Sequence, residues 1–481
     1  MSELFKRHQT LVLGGLLVVL GLVAFWRSVA FDFVNWDDVS YVQQNELIKS
    51  WSPSNLWGVA TETVTRNYGP LTIFSFLIDH SIWGLNPCGY HATNVLLHLV
   101  NGVLVFLLLK QLTGNSFVAW LTAALFLIHP IQIESVVWIS SRKGLLCSAF
   151  MLWAAIIRMK PEVTAKQDAW YVGLLIAALL SKALAIVFPP IVLLYDVLIR
   201  HEKTPTAIAR QVIPGLLSLL LLLYTAGAQN TVLGGVRGHM EISLLHIMAI
   251  DVTILWQYIG MLFCPTDLCV MYDPATSGIG LKVFYGCLAW VAVGLMFWKI
   301  RKSHPMWILG ACSFLLLLFP VLNFFRITTL MNDRYLYLPS IIVFAMAAGA
   351  VHRVLKFAES EAPDFVQTIG NSLRGILAVG SITACLTLTL QHLPVWQNSH
   401  SLWTHAMEQH PKMPVLRIQM ALTVHARGQE REAIRQLQLA LLECQPDDLD
   451  RERMQGMIDE WQMKIQQRRN VARNINGVTP H

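Results

Sequence analysis

Charge is what this chain has least of. Of 481 residues only 14% are Asp, Glu, Lys or Arg, while 54% are hydrophobic and the mean hydropathy is +0.50; an average soluble domain carries roughly 25% charge. A chain so poor in polar surface cannot cover itself in water, which excludes a soluble enzyme and a disordered tail. At about 20 apolar residues per crossing helix there is material for roughly ten spans, so a single-span anchor is excluded too. Cysteine is also sparse. The eight, at 88, 147, 264, 269, 287, 312, 385 and 444, are scattered and lie mostly in apolar runs, giving neither a zinc pattern nor a disulfide framework. Cys264 and Cys269, flanking a Pro-Thr-Asp turn, are the one pair placed to join. No glycine-rich phosphate loop, His-Glu-x-x-His or Gly-x-Ser-x-Gly occurs, which leaves nucleotide hydrolysis and zinc or serine proteolysis without support. The net charge of +6 is no argument for nucleic acid, because membrane proteins collect Lys and Arg in their cytoplasmic loops.

Hydropathy supplies the spans and the loop charges supply their direction. The first apolar run, Thr10 to Phe25, follows Lys6 and Arg7 and precedes Ser28-Val29-Ala30, as in a signal peptide. Arg27 interrupts that approach and many apolar runs follow, so it reads as a retained first helix. A long polar segment, 31–91, comes next. Further spans are predicted near 93–112, 116–130, 135–157, 169–182, 184–199, 211–228, 281–298, 306–323, 335–355 and 373–391. With a cytoplasmic N-terminus, the connections bearing Arg158, Lys160 and Lys166, then Arg200, Lys203 and Arg210, then Lys299, Arg301 and Lys302, then Arg353, Lys356 and Arg374 share the inner side. This requires that Ile242 to Phe263, with Glu241, His246 and Asp251, does not cross but lies on the outer face as an interfacial or re-entrant helix. The expectation is an all-α polytopic protein of about eleven spans, with a membrane domain over 1–392 and large outer loops at 31–91 and 229–280.

From about Leu393 the composition turns polar and helical. A period of 34 residues relates Trp403 to Leu437 and Ala406 to Ala440, with Pro411 near the position that maps to Pro446. Val415–Ala426, Gly428 and Glu430–Glu443 read as helix, turn, helix, a tetratricopeptide signature. Residues 393–481 are therefore expected to form a short outer helical domain. One repeat cannot bury its own face, so it should dock on the membrane domain, a second copy or a partner protein.

The residues that can carry chemistry are the few charges left on the outer side. Asp37 and Asp38 stand just past the first span, where a carboxylate is near low dielectric yet reachable from water, as a general base requires. Consecutive side chains diverge, so one would be the base and the other its orienting neighbour; alternatively the pair is solvated and caps a loop helix. His129, Glu134, Arg142 and Lys143 lie in an outer turn. Glu134 and Arg142, eight residues apart, would fall near one helical face about 12 Å apart. Arg142 and Lys143 read either as snorkelling cations or as phosphate contacts. Lys182 and Arg334 complete a cationic lining, although Arg334 has the alternatives of pairing with Asp333 or capping a helix. Paired acids can hold a divalent ion, but no complete ligand set is visible, and lone histidines such as His98 and His246 read as satisfied by helix neighbours.

In order, Trp36-Asp37-Asp38, Asn67-Tyr68-Gly69-Pro70-Leu71, Leu85-Asn86-Pro87-Cys88-Gly89-Tyr90-His91 with Asn94 and His98, His129-Pro130 with Glu134, Arg142-Lys143-Gly144-Leu145-Leu146, Ser181-Lys182, Arg334-Tyr335-Leu336-Tyr337-Leu338-Pro339 and Trp396 to Trp403 make up a set. It resembles the transmembrane and tetratricopeptide-repeat O-mannosyltransferases and their bacterial relatives, within the GT-C superfamily. Two departures from the pattern are Gly69, where these proteins often carry Arg, and a repeat array shorter than in animal members. The resemblance implies a GT-C-like bundle and a transferase that takes a sugar from a polyprenyl-phosphate donor at the extracytoplasmic face. The acceptor would be a hydroxyl, expected on Ser or Thr of an exported protein. It implies catalysis by Asp37 with Asp38 beside it. Arg142, Lys143 and Arg334 match donor contacts, and Lys182, Glu134, His129, Tyr68 and His91 are the other candidate substrate residues. It also implies a bacterial inner membrane with the site and C-terminus periplasmic.

Two other classes are open. A transporter or lipid flippase would show inverted repeats and ionisable residues near span midpoints; here the charges cluster at outer span ends. A membrane scaffold acting through the tetratricopeptide segment would explain the C-terminus but leave the outer cations idle.

Overall fold

Proline and asparagine punctuate the chain where its helices begin. Pro53, Pro70, Pro87, Pro305 and Pro414 each occupy a first helical turn, where the missing N–H costs nothing. Asn86 and Asn115 cap two long apolar helices by accepting backbone N–H groups of the first turn. The computed structural model describes residues 3–65, 67–230, 243–324, 329–359, 364–443 and 449–476. Glu241, Cys444 and Pro446, the 231–242 part of the outer loop and 325–328 lie outside the described residues.

Nineteen α-helices run through the described residues, which contain no strand: α1 (Glu3–Phe25), α2 (Pro53–Thr61), α3 (Pro70–Trp83), α4 (Pro87–Thr113), α5 (Ser116–Ile128), α6 (Ile133–Val137), α7 (Arg142–Arg158), α8 (Ala165–Ser181), α9 (Phe188–Leu198), α10 (Thr204–Asn230), α11 (Leu244–Phe263), α12 (Gly280–Ile300), α13 (Pro305–Leu318), α14 (Pro339–Glu359), α15 (Asp364–His392), α16 (Ser399–Gln409), α17 (Pro414–Ala426), α18 (Glu430–Glu443) and α19 (Leu449–Asn476). Seven helical stretches among the described residues are long and apolar enough to cross a membrane, built on α1, α4, α10, α11, α12, α14 and α15. An eighth span results if Ser116–Ile128 and Pro130–Val137, bent by 56°, count as one. This is fewer than the eleven that hydropathy predicts, and the reason is length. The predicted span at 135–157 is broken at Trp138, and α7 and α8 have 17 residues each, about 26 Å of helix against a hydrocarbon core of about 30 Å.

The protein is an all-helical, multi-pass membrane protein, and its surface shows why. Leu11, Leu16, Val19, Leu220, Leu281, Leu288, Leu295 and Ile376 are exposed on the long helices. Such a band is unfavourable in water but ordinary against lipid tails. The core forms where α4 packs on α1, α5 and α7, and α7 on α8. Gly102 permits the α4–α5 approach: a Cβ there would lie 2.4 Å from the Leu127 side chain. At the far ends of α7 to α10, Arg158 forks onto Asp196 at 3.0 and 2.7 Å and meets Asp168 at 3.0 Å, while Arg200 reaches Asp196 and Glu202.

α11 is long and apolar enough to cross; Trp256 Nε1 donates to Gly286 O of α12 at 3.1 Å, and its other side-chain hydrogen bonds to neighbouring segments go to loops. His246 bonds Thr276 O ahead of α12, Asp251 accepts from Asn323 after α13, and the Tyr258 hydroxyl accepts the Asn332 N–H. After α15, the helices α16 to α18 pack in succession. Trp403, Ala406, Leu437 and Ala440, the positions related by the 34-residue period, are all buried, and Gly428 makes the turn between α17 and α18 at φ +77°. Cys264 and Cys269 do not pair: both are free thiols, the first exposed and the second buried.

Candidate functional site

After α1 the chain makes one tight helical turn and then runs extended to Val34. Asp38 fixes the turn from Val34 onward. Its carboxylate accepts the Val34 N–H at 3.1 Å and both the N–H and the hydroxyl of Ser140, at 3.0 and 2.5 Å. Burial pushes its pKa up to about 6 in spite of these bonds. Asp38 is thus spent on tying the first loop to the turn between α6 and α7. Asp37 points elsewhere, 30% exposed, with Oδ2 3.8 Å from Lys143 Nζ. The two neighbours diverge as expected of consecutive side chains, and of the two only Asp37 is open to solvent.

Lys143, in the first turn of α7, donates to the Tyr41 hydroxyl at 3.2 Å and lies over that ring at 4.7 Å. Lys182, in the break between α8 and α9, packs beside it: a Cβ on Gly144 would be 3.9 Å from Lys182 Nζ. Among the described residues no hydrogen bond or ion pair reaches that ammonium. Burial first, and then the charges of Lys143 and Arg334, bring its pKa down to about 8. Arg334 enters from the turn before α14, with its backbone N–H donating to Glu134 Oε2 at 2.7 Å and its guanidinium paired to Glu134 Oε1. It stacks over Trp138 at 5.1 Å and Tyr335 at 5.2 Å. Arg334 thus pairs with neither of the partners expected locally. Glu134 is fully buried under it.

Asp37, Lys143, Lys182, Arg334 and Glu134 therefore come together, brought from four parts of the sequence. The other candidates do not join them. Arg142 is fully buried: it is 2.6 Å from Asp79, donates to Asn94 Oδ1 and Tyr90 O at 2.8 Å each, and stacks over Phe76 at 4.4 Å. The expectation that Arg142 and Glu134 share one helical face fails because Trp138 is extended, at ψ 112°, between α6 and α7. His129 caps the turn after α5, accepting the Ile131 N–H at 3.2 Å. His91 is buried in α4 against Phe31. Tyr68 donates to Ala60 O at 2.8 Å and packs on Tyr224 at 4.7 Å. Among the described residues no three His, Cys, Asp or Glu groups converge as a metal site.

Sequence reasoning missed three partners, Asp79, Ser140 and Tyr41, and considered Asp333 only as a local partner of Arg334. Asp79 carried a signal, being a lone carboxylate inside the apolar run of α3. Asp333 lies beside the site, buried, and takes the Tyr272 hydroxyl. Burial and the neighbouring Glu134 raise its pKa above the usual carboxylate range. Tyr272 in turn accepts the Cys269 N–H at 2.9 Å, which holds the loop after α11 over this side of the site.

No family model matches the chain. It is similar to a protein O-mannosyl-transferase from Caenorhabditis elegans, 26% identical over 351 residues, covering 68% of this chain and 49% of that protein. Protein O-mannosyl-transferase TMTC4 from Homo sapiens is 23% identical over 489 residues, covering 86% of this chain and 64% of that protein. TMTC1 from Mus musculus is 34% identical over 148 residues, covering 28% and 16%. These relatives are of the family that the ordered motifs resemble, and the chain spans about half the length of the worm protein. Among solved structures, the Archaeoglobus fulgidus oligosaccharyltransferase tethered with an acceptor peptide overlays with a TM-score of 0.47 at 13% identity, covering 83% of this chain and 56% of that one. ArnT from Cupriavidus metallidurans bound to undecaprenyl phosphate gives 0.43 at 12% identity, covering 90% and 81%.

Proposed function

We propose that this chain is a membrane glycosyltransferase that moves a sugar, in our reading mannose, from a polyprenyl-phosphate donor to a Ser or Thr hydroxyl of an exported protein. One observation carries the reading: an accessible carboxylate, Asp37, stands 3.8 Å from the first of three clustered cations, Lys143, Lys182 and Arg334. Glycosyl transfer from a phosphate needs that pairing. The carboxylate takes the proton of the acceptor hydroxyl as its oxygen bonds to the anomeric carbon. The bond from that carbon to the phosphate oxygen breaks, and the oxygen leaves with the electron pair, its charge met by the cations. A single displacement inverts the anomeric centre and needs no second carboxylate as nucleophile.

Each remaining residue has a part in this scheme. Lys182, without a partner among the described residues, binds the phosphate. Arg334 is held in place by Glu134 and stacked on Trp138, which fixes the direction of its fork. Asp38 and Arg142 do not touch substrate; they hold the Asp37 turn and the start of α7. The C-terminal helices present the acceptor or a partner protein. The names of the curated relatives support sugar transfer, and the lipid-exposed bundle supports a donor carried in the bilayer.

The test compares exported-protein glycans by intact mass in cells carrying wild type or Asp37→Asn at equal expression. Loss of transfer by about 10²- to 10⁴-fold is expected on removing a general base. Unchanged glycan masses and occupancy, with the acceptor identified, would sink the assignment.

A further inference from the structure

The turn that carries Asp37 is held from the far end of the chain. The Asn35 N–H donates to Ser399 Oγ at 2.9 Å and its side-chain Nδ2 donates to Gln419 O at 3.0 Å, while its Oδ1 accepts from Trp403 Nε1. Ser399 and Trp403 belong to α16 and Gln419 to α17, so both ends of the Asn35 amide are engaged by the C-terminal helices. The neighbours of Asn35 are bound the same way. The Asp32 N–H donates to Gln397 O at 3.0 Å, and the Trp36 ring packs on Trp403 with centroids 5.4 Å apart. On the other side, Asp38 ties the same turn to Ser140 in the membrane part.

Asp37 therefore sits in a five-residue stretch, 34–38, clamped between two bodies of the protein. Among the described residues the one ion-pair contact of its side chain is the 3.8 Å approach to Lys143, so its position is set largely by what its neighbours grip. An amide is suited to this grip because it donates and accepts at one place. Leucine would do neither, and aspartate would lose the donor.

We propose that Asn35 is a positioning residue through which α16 and α17 hold the Asp37 carboxylate in place and set the rate of transfer. This rests on the glycosyl-transfer reading above. It gives the C-terminal helices a part in the chemistry besides presenting an acceptor: any partner that shifts α16 moves the base. A misplacement of about 1 Å from a remote change can cost about 100-fold in rate.

The test uses the full chain in lipid nanodiscs, with tritiated mannosyl-phosphoryl-undecaprenol as donor probe and a Ser/Thr-rich peptide as acceptor. Asn35→Ala and Trp403→Phe, which keeps a ring against Trp36, are expected to lower kcat about 10- to 100-fold with the donor KM within about threefold of wild type. Ser399→Thr, which retains the hydroxyl, should turn over like wild type, and Ser399→Ala should not. Hydrogen–deuterium exchange of amides 32–38 should speed up in Asn35→Ala and Trp403→Phe, at an unchanged melting temperature. Wild-type exchange in both variants, or a raised KM at constant kcat, overturns the proposal. Asp37→Asn separates it from the reading beneath it. If Asp37→Asn is inactive while Asn35→Ala and Trp403→Phe keep the wild-type kcat, transfer stands and positioning falls. If Asp37→Asn is fully active, transfer falls, and the exchange rates still decide whether Asn35 holds the turn.

Discussion

Lys182 is the cation of the site with no counter-charge paired to it among the described residues, and that makes it the one whose protonation a substrate would feel. It bears a charge below its pKa of about 8 and loses it above, so a phosphate donor should bind well at pH 7 and progressively worse from pH 8 to 9. We predict that the donor KM of wild type rises about tenfold between pH 7 and pH 9. Lys182→Arg should hold its KM flat over the same range, because guanidinium stays protonated. Lys182→Met should be weak at every pH. A wild-type KM that does not change between pH 7 and 9 would remove Lys182 from the donor site. Asp38, at about 6, shows the opposite case: a carboxylate whose burial serves the geometry of its neighbours.

At the scale of elements, buried ion pairs decide which helices stay together. Arg142 and Asp79 join the start of α7 to α3, and both are nearly excluded from solvent. Deleting one partner strands the other as a buried charge. Arg142→Met should therefore cost about 3–5 kcal/mol, read as a fall in melting temperature in detergent, whereas Arg142→Met combined with Asp79→Leu should recover much of the loss. If the single variant melts like wild type, the pair is not what fixes α7. The same contrast separates Arg142 from Lys143 and Lys182, whose replacement should impair transfer and spare stability. Gly69 shows how closely these elements meet: a Cβ there would lie 3.0 Å from Ser181 O, where α3 abuts the end of α8.

For the whole molecule, the question is which side the cluster faces. The connections rich in Lys and Arg include that carrying the Arg158, Asp196 and Arg200 network, and the Asp37 cluster sits at the opposite ends of α7 and α8. Under the positive-inside rule we expect the cluster and the C-terminal helices to face outward. Alkaline phosphatase fused after residue 476 should then be active, and the same enzyme fused within the loop at 301–303 inactive. The reverse pattern would invert the topology and place the site in the cytoplasm. Such an outcome would also end the case for an exported acceptor.

The sequence alone determined that the chain is helical and crosses a membrane several times, since hydropathy and cap residues act locally. It also singled out Asp37, Lys143, Lys182, Glu134 and Arg334, because charge in an apolar chain is costly and therefore conspicuous. What it did not determine is which of those charges are consumed by one another. Arg142 and Lys143 are adjacent, yet one is neutralised by Asp79 and the other faces Asp37. Glu134 meets Arg334 across 200 residues, and Asn35 meets Gln419 across 384. Long-range pairing depends on how the helices pack and where they break, as at Trp138, and no local pattern encodes that. Only the tertiary structure decided which carboxylate stays exposed beside the cations and that the C-terminal helices grip the turn beside it.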